Sequence, residues 1–379
     1  MTTTGKYSFF NDYSELAHPE VLAALSELGS TQFTGYGLDE FSEAAREIIV
    51  EKIALPDAEV HFTSGGTQAN LIVVASALRP YEAVIATDYG HINTHETGAI
   101  EATGHKVCVT PHVHGKLDVA GIEALVTYHS DEHMVKPRMV YISQSTELGT
   151  VYTAAELTAI SRYCRANSLY LYADGARLGA AMNSDACDLS YAQFAKLVDA
   201  FYIGGTKNGA LFGEAIVIVN DELKADFRYN LKLRGALLAK GAALGLQFKA
   251  LLGSRKGSDV YAVSVGSSGG SSGGSGSGSS SSFTTTSTLY DELAEHANLM
   301  AARLAKGIAA LGYEFLSPVE TNQVFPIFPT QTATKLHDLY GFYDWSESEA
   351  GTAVRLVTSW VTPEAMVDEF LADLAKLSY

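Results

Sequence analysis

Cysteine is scarce in this chain, basic charge is outweighed, and long apolar runs are missing. Cys108, Cys164 and Cys187 are its three cysteines. They show no close pair spacing, which excludes a disulfide framework and a thiolate metal cluster. They read instead as small buried hydrophobes in a reducing compartment. Lysine and arginine total 26 against 43 aspartates and glutamates, for a net charge of -17. An acidic surface of that size argues against nucleic acid or an anionic membrane as a partner, yet leaves room for a local positive pocket around an anionic cofactor. No stretch approaches the roughly 18 consecutive apolar residues of a membrane span. The opening MTTTGKYSFFNDYS has neither an apolar signal core nor an arginine-rich arm, so a cytoplasmic location is expected. What is present is length and apolar mass: 379 residues, 47% hydrophobic, enough for a large core and two domains.

Between residues 40 and 253 short apolar runs alternate with helical segments. Seven runs read as strands: 59–63, 83–87, 106–110, 138–142, 168–173, 200–204 and 215–219. Several are rich in valine and isoleucine without strict alternation, the mark of strands covered on both faces in a mostly parallel sheet. Segments 68–78 and 154–167 are long enough for helical crossovers, whereas the short gap from Gly204 to Ala215 suggests one antiparallel strand. Helices are expected over 70–78 and 236–252. Residues 266–282 are all glycine and serine and cannot build a core, so they read as a linker, with a weak strand pattern just before them at 259–265. Beyond it, Leu289, Leu293, Ala297, Met300, Leu304 and Ile308 form one helical stripe. Strands are expected at 313–316, 324–328 and 353–358, and a last helix from Thr362-Pro363 that buries Val367, Phe370, Leu371 and Leu374. The division this implies is an N-terminal arm (1–35), a large α/β domain (36–253), a flexible insert (254–288) and a small α/β domain (289–379). The arm would join the two domains or cross to a neighbouring subunit.

Three strand ends carry chemistry-bearing residues. Lys207, in Gly204-Gly205-Thr206-Lys207, leaves a buried strand in a glycine turn, where a near-neutral amine can hold an aldehyde cofactor as a Schiff base. Asp174 ends another strand, where a carboxylate can pair with a protonated pyridine nitrogen. Arg177 lies three residues on, placed for the ring's phenolate side or a substrate carboxylate. Ser64-Gly65-Gly66-Thr67 precedes a helix and offers amides and a hydroxyl to a phosphate, with Thr206 as a second hydroxyl. His91 could stack on the ring. His91 and His95 could also share a metal across a helical turn, but the stretch lacks the glutamate that follows the first histidine in metalloprotease helices, and no metal is expected. Asp12, Tyr36, Asp39, Glu147 and Arg355 are polar residues in loops or near strand ends, each uninformative alone.

Taken in order, these pieces resemble the threonine aldolase branch of the fold-type I pyridoxal phosphate enzymes, within the beta-eliminating lyase group. The resemblance covers nearly everything except about 254–288. It is carried by Tyr36-Gly37-Leu38-Asp39, by Ser64 through Asn70, and by His91 with Glu96-Thr97-Gly98. Asp174-Gly175-Ala176-Arg177 and Thr206-Lys207 complete it. It implies a fold-type I architecture and pyridoxal 5'-phosphate as cofactor. Lys207, His91 and Asp174 would be the catalytic residues, and Gly66, Thr67, Arg177 and Thr206 would help bind the cofactor. Asn11, Arg177 and Arg355 would bind the substrate. It also implies a small amino-acid substrate and a homodimer or homotetramer with sites near the subunit interface. The expected reaction is retro-aldol cleavage of a β-hydroxy-α-amino acid to glycine and an aldehyde, with His91 or an ordered water as base. β-Elimination is the alternative, and a non-catalytic binding protein the remote one. The chain departs from the family in Asn11-Asp12 where a serine and aspartate are common. Tyr172 stands where many members have histidine, and Glu147-Leu148-Gly149 replaces an asparagine-rich loop.

Overall fold

The computed structural model describes residues 5–254 and 287–377. The glycine-serine run at 266–282 and the strand reading of 259–265 lie outside the described residues. In chain order the strands are β1 (Tyr7–Ser8), β2 (Glu59–Thr63), β3 (Glu82–Thr87), β4 (Val107–Thr110), β5 (Lys136–Ser143), β6 (Tyr170–Asp174), β7 (Ala200–Gly204) and β8 (Glu214–Ile218). They continue with β9 (Gln323–Val324), β10 (Ile327–Phe328), β11 (Tyr340–Gly341), β12 (Tyr343–Ser348) and β13 (Gly351–Val357).

The large sheet has seven strands in the order β2-β8-β7-β6-β5-β3-β4. β3, β4, β5, β6 and β7 run parallel, and β8 lies antiparallel between β2 and β7. β8 folds back as the short 204–215 gap suggested, because that length holds a hairpin and no crossover helix. The β3, β7 and β6 strands are buried along their whole length, as sheets covered on both faces require. One apolar layer gathers Val60, Phe62, Ile85, Val140, Phe201 and Phe248. The other holds Ile72, Val73, Met139, Tyr141, Tyr172 and Tyr202.

Two helix starts differ from the sequence pattern. The helix expected from residue 70 begins at Gly66 and spans Gly66–Ala77. Its first turn thus belongs to the glycine turn itself, which lacks the apolar periodicity by which helices are read. The helix expected over 236–252 is Ala242–Leu252. Before it the chain must turn tightly. A Cβ on Gly241 would lie 2.7 Å from the Gly37 nitrogen, so the two loops touch through backbone.

In the C-terminal part, the stripe on Leu289–Ala310 is buried as its spacing required. Leu371 is half-buried, while Val367, Phe370 and Leu374 are enclosed. No strand forms at 313–316; Phe315 makes one isolated bridge, to Pro326. The run 324–328 breaks into β9 and β10 around Pro326, which has no N–H to extend a ladder. β12 pairs with β13 and has a largely exposed, polar face, so apolar patterning gave no sign of it. The arm packs on its own chain. β1 pairs with β11, Phe9 is fully buried against Tyr340 and Phe370, and Pro19–Glu27 packs on Ala242–Leu252.

Candidate active site

The carboxyl ends of β2, β3, β5, β6 and β7 converge on one side of the sheet, the edge at which open α/β sheets bind ligands. Two glycine turns make the convergence tight. Gly204 N donates to Gly175 O at 2.9 Å. A Cβ on Gly175 would sit 1.7 Å from the Tyr202 carbonyl oxygen, and one on Gly204 2.4 Å from that of Ala176. This contact sets the segment that ends in Asp174 beside the one that leads to Lys207.

Asp174 is 4% exposed and accepts from four donors: Tyr202 Oη at 2.5 Å, Tyr141 Oη at 2.7 Å, Asn70 Nδ2 at 3.0 Å and Ala176 N at 2.9 Å. Burial works against its charge, but the His91 imidazole and these bonds outweigh burial and hold its pKa below the usual carboxylate value. Asn70 is fully buried; it receives Tyr172 Oη at 2.9 Å and donates also to Glu96 Oε1 at 2.7 Å. His91 Nδ1 is bonded to the same Glu96 oxygen at 2.8 Å. Burial alone would lower the His91 pKa. The Glu96 bond and the charges of Glu147 and Asp174 overcome this, so it is raised.

Lys207 is half-buried, with its Nζ 5.9 Å from the Tyr13 ring. Loss of water and the Arg177 guanidinium depress its pKa, which makes the neutral amine more accessible. Arg177 is clamped by Asp12, with Nε to Oδ2 at 2.6 Å and Nη2 to Oδ1 at 3.0 Å. Asn322 Nδ2 also donates to Asp12, at 2.9 Å. Arg355 lies 5.6 Å from both the Tyr343 and Trp345 rings. Its buried Nε has no hydrogen-bond partner among the described residues. Asn11 Oδ1 accepts from Tyr13 N and Ser14 Oγ, one residue before Asp12. Gly66 and Thr67 open the Gly66–Ala77 helix, whose cap residue Gly65 offers no side-chain bond, so the first-turn amides remain available to an anion. Thr206 is engaged elsewhere: its hydroxyl accepts from Gly213 N at 3.0 Å and bonds the Glu214 carboxyl.

These residues fit pyridoxal phosphate. Its phosphate matches the free amides, its ring nitrogen the ionised Asp174, and its aldehyde the depressed Lys207. The cluster of half-buried His91 with buried Glu96 and Asp174, whose ligand atoms lie within 4.8 Å of one another, supplies the polar contacts such a ring needs. Its two carboxylates are met by amide, hydroxyl and imidazole donors. Sequence reasoning gave no role to Asn70, Glu214 or the hydroxyls of Tyr141, Tyr172 and Tyr202. One signal was available for two of them: Tyr172 and Asp174 are two apart on one strand and so share a face, and Tyr141 pairs with Tyr172 in register.

A family model for beta-eliminating lyases matches residues 35–330. The chain belongs to the beta-eliminating lyase family. A low specificity L-threonine aldolase of Pseudomonas sp. is 31% identical to this lyase over 99% of this chain and 98% of its own length. The corresponding protein of Pseudomonas aeruginosa is 30% identical over 96% and 95%. The structure of a threonine aldolase of Leishmania major superposes with a TM-score of 0.87 at 44% identity, covering 98% of this chain and all of that one. An aspartate aminotransferase of Thermus thermophilus, at 16% identity and a TM-score of 0.68, shares the fold. The lyase thus has a fold-type I architecture, with a large sheet domain and a smaller C-terminal one. Among the described residues no helix is long and apolar enough to cross a membrane.

Proposed function

We propose that this lyase cleaves β-hydroxy-α-amino acids of the threonine kind into glycine and an aldehyde. The observation that carries the reading is the meeting of Lys207, Asp174 and His91 at the carboxyl ends of β7, β6 and β3, in a chain of this family that resembles threonine aldolases over nearly its full length. Pyridoxal phosphate, when bound, supplies a conjugated ring that takes up the electron pair released at Cα. In this reading the Gly66 and Thr67 amides hold the phosphate, with Thr206 supporting the lysine turn beside it. Asp174, ionised, would pair with the ring nitrogen, and His91, locked by Glu96, would pack against the ring. Lys207 offers its amine for attachment. Arg355, with an unpartnered Nε, receives the substrate carboxylate. Arg177 and Asn11 border that position, with Arg177 steadied by Asp12.

The experiment is a product assay. L-Threonine, L-allo-threonine and phenylserine should release aldehyde and glycine. Serine, cysteine and tryptophan should yield no pyruvate. Pyruvate without aldehyde would favour the elimination for which the family is named. Lys207→Ala should abolish the visible absorbance of bound cofactor; a variant that keeps the band would refute the assignment of that lysine. The lyase further reads as a homodimer or homotetramer working in the cytoplasm. Tyr36, Leu38, Tyr229 and Leu233 are exposed by 43 to 77%, and Arg228 ties their two segments together through the Tyr36 carbonyl at 3.3 Å. A surface of that kind suits a second copy of the chain.

A further inference from the structure

We propose that Glu147 is the catalytic residue that accepts the proton of the substrate's β-hydroxyl, and that it thereby selects substrates carrying one. The inference rests on the aldol-cleavage reading and adds the base that reading left open.

Glu147 lies four residues beyond the end of β5, in the loop that departs from the centre of the site. Ser143 pairs with Asp174 in register, and its Oγ lies 3.3 Å from Glu147 Oε1 and 3.4 Å from Tyr141 Oη, which donates to Asp174. The carboxylate is therefore one short hydrogen-bonded chain from the floor of the site. Its charge also acts on Lys207, His91, Arg177 and Arg355, which come from four different segments.

The other carboxylates of the site are already committed. Asp174 has four donors. Asp12 is held by Arg177 and Asn322. Glu96 holds His91 and Asn70 through Oε1, and its unpartnered Oε2 is sealed from solvent. Glu214 is 4% exposed beneath the lysine turn and accepts from Gly205 N at 2.8 Å. Glu147 alone in this group is only half-buried and has a single long bond. His91 is already engaged, with its Nδ1 held by Glu96 at 2.8 Å and its ring given to the cofactor in this reading.

The proton balance closes without another reagent. The β-hydroxyl proton passes to the Glu147 carboxylate, and the O–H electron pair becomes the second C–O bond of the aldehyde. The Cα–Cβ bond breaks, leaving its pair at Cα. One proton then returns to Cα, giving glycine. A carboxylate at that position also rewards a hydroxyl donor on Cβ and repels an anionic substituent.

The test uses the holoenzyme of Glu147→Gln and Glu147→Asp. Glu147→Gln should lower kcat for aldehyde release by about 10² to 10³-fold, the range for loss of a general base, with little change in KM. Glu147→Asp should recover part of the rate. Exchange of the glycine α-proton with deuterium, followed by NMR, needs no hydroxyl acceptor and should stay within about twofold of the wild type. Cofactor uptake by the apo-protein, read by fluorescence, should be unchanged. Full aldehyde release in Glu147→Gln would overturn the assignment. So would a parallel fall of exchange and cleavage, or lost cofactor uptake, since each would show general damage to the site. A wild type that exchanges glycine's proton but cleaves no β-hydroxy amino acid would sink the aldol reading itself, and this role with it.

Discussion

Around Asp174 the energetics turn on single groups. The His91 imidazole, with bonds from Tyr202, Asn70 and Ala176, keeps a buried carboxylate ionised against the pull of burial. Removing one donor, as in Tyr202→Phe, should cost about 1 kcal/mol or more of folding stability and weaken cofactor binding. Denaturant titration and cofactor titration check both. Asp12→Ala should be harsher, because it strands the Arg177 guanidinium among buried neighbours, with a loss of about 3 to 5 kcal/mol in the same titration. Glu214 gives a pH prediction. Burial pushes its pKa from 4.5 up to about 7, against the opposing bonds from Thr206 and Gly205. The folded state therefore holds this proton more tightly than the unfolded one. That stabilisation is complete below pH 4.5 and is lost as the pH rises to about 7, on the order of 3 kcal/mol. Glu214→Gln should lack this decline, and melting curves from about pH 5 to about 8 should show the variant gaining on the wild type. At this scale the place of Lys207, Asp174 and His91 at strand ends was legible because each sits where an apolar run ends. Glu214 was not, because nothing in its local sequence tells that its side chain turns in under Gly205.

Elements place those residues through backbone contact. Gly175 lets the turn after β6 lie against β7, and Gly175→Ala would drive a Cβ into the Tyr202 carbonyl at 1.7 Å. Such a variant should lose more than about 3 kcal/mol and bind cofactor poorly, with circular dichroism and cofactor absorbance as the readouts. All seven strands of the large sheet were legible to within two residues at either end, since strands covered on both faces leave continuous apolar runs. Shorter elements were not. β9 and β10 are split by a proline, β12 is polar, and the Gly66–Ala77 helix begins in a glycine turn. In each case the stabilising contact comes from a neighbouring element and leaves no local pattern.

The whole molecule ties these elements together across long stretches of sequence. The arm runs from β11 to the active site and on to the Ala242–Leu252 helix, carrying Asp12 to Arg177 on the way. Ser254 and Thr288 meet in an isolated antiparallel bridge, so the two ends of the intervening segment are already adjacent. Deleting residues 266–282 should leave melting temperature and cofactor binding nearly unchanged, because shortening a loop between neighbouring ends changes closure entropy only slightly. Light scattering on the purified lyase should give the mass of a dimer or tetramer; a fully active monomer would refute the assembly. The sequence by itself determined the mostly parallel α/β sheet and the placing of Lys207 and Asp174 at strand ends, because strand burial and strand-end position are local properties that show as runs and turns. Only the tertiary structure decided that Asp12 clamps Arg177, that three tyrosines and Asn70 surround Asp174, and that the charge of Glu147 acts on Lys207, His91, Arg177 and Arg355. Those relations join residues tens to hundreds of positions apart, and a hydrogen bond between distant segments exists only once the chain has closed around it.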